Sequence, residues 1–190
     1  MKFVKKHVLN GLFFLIVIVV LGYISLEIFI PQKTIDIVGY KSYVVLTSSM
    51  EPDIMANDMI IIHKVKEEDL ELRDAITFNV FIPELGRESE VTHYIGEIQG
   101  SGDSVIYKTQ GATKEDGDYD VWKDKNNVVT DVTFEDIEGE VVLTIPYLGH
   151  AVNLLKDPIM VGMLVLNIII IYALVKLIKK PKNQDEIGSK

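Results

Sequence analysis

The chain has 190 residues, 48 % of them apolar, no cysteine and a formal charge of −9. The charge is divided: residues 31–158 hold 11 Lys and Arg against 25 Asp and Glu, whereas the two ends together hold 8 against 3. An acidic middle repels phosphates and excludes a nucleic-acid binder, and the absence of cysteine excludes disulfides, thiolate metal sites, CxxC redox chemistry and a cysteine nucleophile.

In chain order, residues 1–7 are basic, with Lys2, Lys5 and Lys6. Val8 to Leu26 then runs 19 residues without a charge. As a helix that run rises roughly 28 Å, close to the hydrocarbon thickness of a bilayer. Glu27-Ile28-Phe29-Ile30-Pro31 follows, with no small-x-small cleavage site, so residues 8–30 read as an uncleaved anchor and not as a removed signal peptide. Residues 31–158 form one domain, with no internal repeat. Val38–Thr47, Met59–Lys64, Ala75–Ile82, Val91–Ile98, Val105–Thr109 and Glu140–Ile145 are rich in Val, Ile, Thr, Tyr and Phe, and turn formers separate them. That pattern predicts a mostly β domain. Glu67–Leu72 fits a short helical turn or connection, and the polar stretch 112–127 a long loop. Residues 159–178 predict a second membrane helix, since Ile159 to Val175 carries no charge and no polar face. A tail at 179–190 completes the chain. Lysines flank both apolar runs on their outer sides, at Lys2, Lys5 and Lys6 and at Lys176, Lys179 and Lys180. The positive-inside rule then puts both termini in the cytoplasm and the acidic domain outside.

Candidate chemistry follows from local context. The run Tyr43-Val44-Val45-Leu46 ends in Thr47-Ser48-Ser49-Met50-Glu51-Pro52. A serine where a strand breaks into a proline turn is held and exposed, with backbone N–H groups near an oxyanion position. A plain Ser/Thr-rich turn looks the same locally. Of the four histidines, His93 lies in Val91-Thr92-His93-Tyr94-Ile95, between two apolar residues on its own strand face. Such a setting desolvates the imidazole and favours the neutral form that a general base needs. The polar loop offers Asp116, Asp118 and Asp120 as an orienting acid. Their spacing also matches the start of a calcium loop, but the glycine and later glutamate of an EF-hand are misplaced.

Three motifs together resemble one family. Ser49-Met50-Glu51-Pro52 is similar to the nucleophile motif of type I signal peptidases. Val91-Thr92-His93-Tyr94-Ile95 resembles the second motif of their endoplasmic-reticulum-type subfamily, in which histidine replaces the lysine of the common bacterial enzymes. Gly139-Glu140-Val141 through Ile145-Pro146-Tyr147-Leu148-Gly149 is similar to its closing motif. The resemblance covers residues 35–150 and the anchor arrangement. It departs where the family has Gly before the serine (here Ser48) and Gly-Asp at Asn57-Asp58. It also departs in the acid motif, where Ala112 replaces the first aspartate after Gly111.

The resemblance implies an antiparallel β catalytic domain flanked by two transmembrane helices, and cleavage of signal peptides from secretory preproteins. Ser49 would be the nucleophile, His93 the base and Asp118 the acid, with Asp116 as the alternative. The Ser49 N–H and the Thr47 hydroxyl would hold the oxyanion. Val44 and Leu46 would wall the substrate groove. It implies neither metal nor organic cofactor, with signal peptides, the lipid bilayer and the translocation machinery as partners. Two readings compete: a non-catalytic, membrane-anchored β module acting as an assembly partner, and a general serine protease of exported proteins.

Overall fold

The β-branched and aromatic runs of the middle segment do form strands, because such residues pack well on a pleated, half-buried surface. The computed structural model describes residues 2–101 and 104–178. The order is α1 (Lys2–Phe29), a 3-10 turn at Pro31–Lys33, α2 (Thr34–Val38), β1 (Tyr40–Val44), β2 (Met59–His63) and β3 (Ala75–Ile82). Then follow β4 (Arg87–Gln99), β5 (Ile106–Gln110), β6 (Trp122–Lys123), β7 (Val129–Thr130), β8 (Ile137–Ile145), α3 (Leu148–Lys156) and α4 (Pro158–Ile178). The fold is mostly antiparallel β. A six-stranded sheet runs β1-β2-β8-β3-β4-β5, and β6 and β7 form a separate two-stranded ribbon. The late strand β8 inserts between β2 and β3, so the sheet is complete only when the end of the domain joins its beginning.

Several boundaries differ from the sequence expectation. Residues 34–38 coil into α2, which ends at Gly39 with φ +80°, a left-handed cap that glycine adopts without a Cβ penalty. β4 starts at Arg87 rather than Val91, because the hairpin turn at Pro83–Gly86 lets charged residues pair with β3 before the apolar ones begin. The polar stretch 112–127 is not all loop, since Trp122 and Lys123 pair with Val129 and Thr130. A 3-10 turn forms at Glu67–Asp69.

Two apolar clusters support the sheet. Ile76, Phe78, Val80, Ile95, Tyr107 and Val132 form one, with Trp122 against it. Ile35, Met50, Ile54, Ile60 and Ile62 form the other, with Tyr43 and Tyr94 against it. Between strands lies a buried polar group. Lys41 of β1 is 3.1 Å from Glu138 of β8, Asn79 of β3 donates to the other Glu138 oxygen at 2.9 Å, and the Tyr43 hydroxyl also donates to Glu138. Burial pushes the Glu138 carboxyl up, but its donors Tyr43, Asn79 and Lys41 outweigh burial and hold it below the usual carboxylate range. Burial and the adjacent Glu138 push the Tyr43 phenol well above its ordinary range.

Outside the sheet, the Pro158–Lys176 stretch is 19 residues, long and apolar enough to cross a bilayer, and none of it is buried. α1 carries a shorter apolar stretch, Gly11–Glu27. Among the described residues, one helix is long and apolar enough throughout to cross a membrane. Near its C-terminus α1 touches the edge of the sheet, where the Tyr23 hydroxyl lies 3.3 Å from Ser42 of β1. The expected tail at 179–190 lies outside the described residues.

Glu138→Ala strands Lys41 and Asn79 without their acceptor and should cost about 3 kcal/mol in denaturant unfolding. A depressed folded pKa gives stability that is present above the unfolded carboxylate value and is lost as pH falls through the folded one. Glu138→Gln should therefore show a flatter fall in urea midpoint than the parent below about pH 4.5. Parallel curves would refute the assignment.

Candidate active site

The site is built where β1 and β5 end beside the middle of β4. Strand pairing carries on just past β1, as the Val45 amide donates to the Asp58 carbonyl at 2.9 Å and the Asn57 amide to the Val45 carbonyl at 2.8 Å. The chain then turns away through Leu46, Thr47 and Ser48 to Ser49. Met50 and Ile54, 1 % and 4 % exposed, plug the second apolar cluster and pin this turn, while Ser49 itself stays exposed. The Glu51–Pro52 bond in the turn is cis. Asn57 has φ +68°, a left-handed conformation that glycine adopts most easily and asparagine tolerates. That accounts for asparagine standing where the related motif has glycine. Asp58 next to it is buried and accepts from the amides of Met55 and Tyr147, at 2.9 and 3.0 Å. Gly149 packs so closely on Asn57 and Val44 that a Cβ would come within 2.6 Å of both. The 145–149 segment is thus docked onto the base of the serine turn.

His93 sits on β4, opposite Ile76 of β3. Its side chain is 8 % exposed. The Trp122 ring lies 5.9 Å from the imidazole and stacks edge-on against Phe78, which walls the histidine off from water. His93 Nδ1 is 2.6 Å from Asp120 Oδ2, on a side chain 10 % exposed. A carboxylate only accepts, so Nδ1 carries the proton and Nε2 is left with a free lone pair. That Nε2 is buried and has no partner. Thr109 of β5 donates to the same Asp120 oxygen at 2.8 Å, and the Trp122 indole N–H donates to Thr109 at 2.9 Å. Lys114 reaches the other oxygen, Oδ1, at 3.1 Å. Burial pushes the Asp120 carboxyl up, but the bonds from His93, Thr109 and Lys114 outweigh it, so the group is held below the usual range as a carboxylate.

Three contacts join the serine turn to this pair. The Ala112 amide donates to the Ser49 carbonyl at 3.0 Å. Gly111 lies between them: a Cβ there would fall 2.7 Å from the Ser49 carbonyl oxygen and 3.9 Å from His93 Nε2. The Tyr94 hydroxyl, next to His93 in sequence, donates to Asp53 in the serine turn at 3.0 Å. Ser49 Oγ is 3.3 Å from the Thr47 hydroxyl, so two hydroxyls sit side by side in the turn.

Of the residues expected from sequence, Ser49, Thr47 and His93 come together; Leu46 is 80 % exposed, whereas the Val44 side chain packs against Gly149. The acid is a correction. Asp118, expected to hold the imidazole, instead lies 3.6 Å from Lys114, and Asp116 pairs with Arg73 at 2.9 Å. Both are exposed, and Asp120 takes the position. The reason is backbone direction: the Asp120 amide donates to the Thr109 carbonyl at 2.7 Å, so the chain rejoins β5 only there and turns that side chain inward. Gly96 makes room for this return, since a Cβ on it would meet the Tyr119 ring at 2.7 Å. The three aspartates of the calcium-like spacing thus diverge, Asp116 to Arg73, Asp118 to Lys114 alone, and Asp120 to His93 and Thr109 as well as Lys114. Neither a protein-family model nor a curated protein matches the chain.

Gly111→Ala should force the Ser49 peptide away from β5. Overpacking of this kind costs about 1–3 kcal/mol. A thermal unfolding midpoint unchanged from the parent would show that the approach of Gly111 to Ser49 is not needed.

Proposed function

We propose that the chain is a membrane-bound serine endopeptidase that removes signal peptides from exported preproteins, with Ser49, His93 and Asp120 as its catalytic residues. The observation that carries this reading is the buried His93–Asp120 pair, whose unpartnered Nε2 lies beside the Gly111 backbone that packs on Ser49. A neutral imidazole with one nitrogen held by a carboxylate and the other free is what a general base requires.

The steps follow from the atoms. Ser49 Oγ attacks the scissile carbonyl carbon while His93 Nε2 takes the hydroxyl proton. Asp120 stabilises the imidazolium that forms. The carbonyl oxygen becomes an oxyanion, held by the Ser49 N–H and the Thr47 hydroxyl. Losing one such donor typically costs about 3 kcal/mol. The C–N bond then breaks, the amine leaves with the proton from His93, and an acyl ester remains on Ser49. Water, deprotonated by His93, releases it.

The substrate class rests on the sequence motifs and on placement. β1 is an edge strand, so an extended peptide can add to it by main-chain hydrogen bonds. Val44 and Leu46 line that approach, and small side chains at −1 and −3 would suit it. The 8–30 and 159–178 segments serve as spans, with the flanking lysines cytoplasmic and the acidic domain outside. The exposed apolar α4 and the contact of α1 with β1 support an active site held near the bilayer surface.

The test is processing of a secretory precursor by the full chain in a host depleted of its own peptidase. Ser49→Ala and His93→Ala should lose on the order of 10⁴-fold or more, and Asp120→Asn about 10³–10⁴-fold. Asp118→Asn, on an exposed side chain, should stay within about twofold. Equal processing by all variants would exclude the catalytic reading, and cleavage away from small-x-small sites would point to a general protease. Activity should fall on acidification as His93 takes up a proton, and a flat profile down to about pH 5 would rule the histidine out as base.

A further inference from the structure

We propose that Lys114 is a positioning residue that holds the outer oxygen of Asp120 and, as a fixed positive charge, lowers the proton affinity of His93. This rests on the serine peptidase reading for its consequence in catalysis, but not for its geometry. The Asp120 carboxylate is shared between two partners on opposite oxygens. His93 and Thr109 hold Oδ2 at 2.6 and 2.8 Å, and the Lys114 ammonium holds Oδ1 at 3.1 Å. Asp120 is 10 % exposed and Lys114 34 %, so water screens the Lys114 charge from His93 only in part.

The charge balance gives the consequence. With His93 neutral, Lys114 and Asp120 cancel. When His93 takes the proton of Ser49, the trio carries one net positive charge. Without Lys114, the imidazolium and Asp120 would form a neutral pair. Lys114 therefore disfavours the protonated ring, keeps the base free to lower pH and speeds return of the proton to the leaving amine. The surrounding charges do not perform this task. Asp118 lies 3.6 Å from Lys114 on its exposed side and offsets only part of its charge. Lys108 and Asp131 line a cavity of about 60 Å³ beside Asp120 and pair with each other. Asp116 is engaged by Arg73, and Asp53 by Tyr94. Lys114 alone puts an unlike charge on the acid itself.

The experiment is an NMR titration of the His93 ring nitrogens in the full chain in detergent micelles, assigned by His93→Gln. It is paired with the pH dependence of kcat/KM on a precursor. Lys114→Met and Lys114→Gln should raise the ring's titration midpoint by about 0.5–1 pH unit, with the acid limb of kcat/KM moving equally, and Lys114→Arg should restore both. A merely structural lysine would lower activity at every pH and leave the midpoint in place. Coincident midpoints for the parent and both neutral variants, or a shift in Lys114→Arg as large as in Lys114→Met, would overturn the proposal. The two readings separate cleanly. A shifted midpoint in a chain that cuts no precursor retains the Lys114 role and rejects the peptidase; an unshifted midpoint in an active chain does the reverse.

Discussion

Gly111 lets the end of β5 press against the peptide of Ser49, closely enough for the Ala112 amide to donate to the Ser49 carbonyl at 3.0 Å. β1 and β5 are the two edges of the six-stranded sheet. Antiparallel sheets twist and coil, which brings distant edges toward each other. Here that closure takes place at one backbone contact. A side chain on Gly111 would hold the edges apart and leave the Tyr94–Asp53 hydrogen bond to tie the serine turn to β4. The relation of Ser49 to His93 is therefore set by backbone packing on secondary structure, a more rigid arrangement than two side chains finding each other across a loop.

Closure also decides the electrostatics. His93 belongs to the rim of the first apolar cluster, and the Trp122 ring covers it. A lone imidazole buried this way would be costly to charge during catalysis. Asp120 offsets that cost because it is buried alongside and is itself fully engaged. The domain as a whole is strongly acidic, and such a field favours protonated histidine. Lys114 acts against that field where it matters, on the oxygen of Asp120 that His93 does not use. On the proposed reading, the acidity of the domain is thus compensated locally at His93.

Much of this was legible in the sequence. Alternation in Val91-Thr92-His93-Tyr94-Ile95 correctly placed His93 on an apolar face, because strand periodicity is strict over short runs. The serine turn was marked by a strand running into proline. Asp120 was only one of three similar carboxylates. Choosing among them needs the point at which the loop rejoins β5, and that depends on Gly96 yielding to the Tyr119 ring, a contact between residues far apart in sequence. The family resemblance implies Asp118 because carrying a motif over by position assumes a loop of fixed path. The roles of Thr109, Lys114 and Trp122 were hidden for the same reason: Thr109 and Lys114 bind Asp120, Trp122 covers His93 and donates to Thr109, and none sits in a motif. A helical α2 before β1 was also missed, since its five residues are too few for periodicity to show.

The exposed serine and the buried base divide the work unequally. His93 is fixed by Asp120 and by Trp122, whereas Ser49 Oγ rests 3.3 Å from Thr47 and Nε2 has no partner. Catalytic hydrogen bonds are often long before substrate arrives. A peptide added along β1 would dehydrate the serine turn and supply the carbonyl for which Thr47 is a placeholder. The Oγ proton would then have Nε2 as its nearest acceptor. On that view the site is completed by the substrate strand, and the same edge that offers β1 for pairing also controls when the base is used.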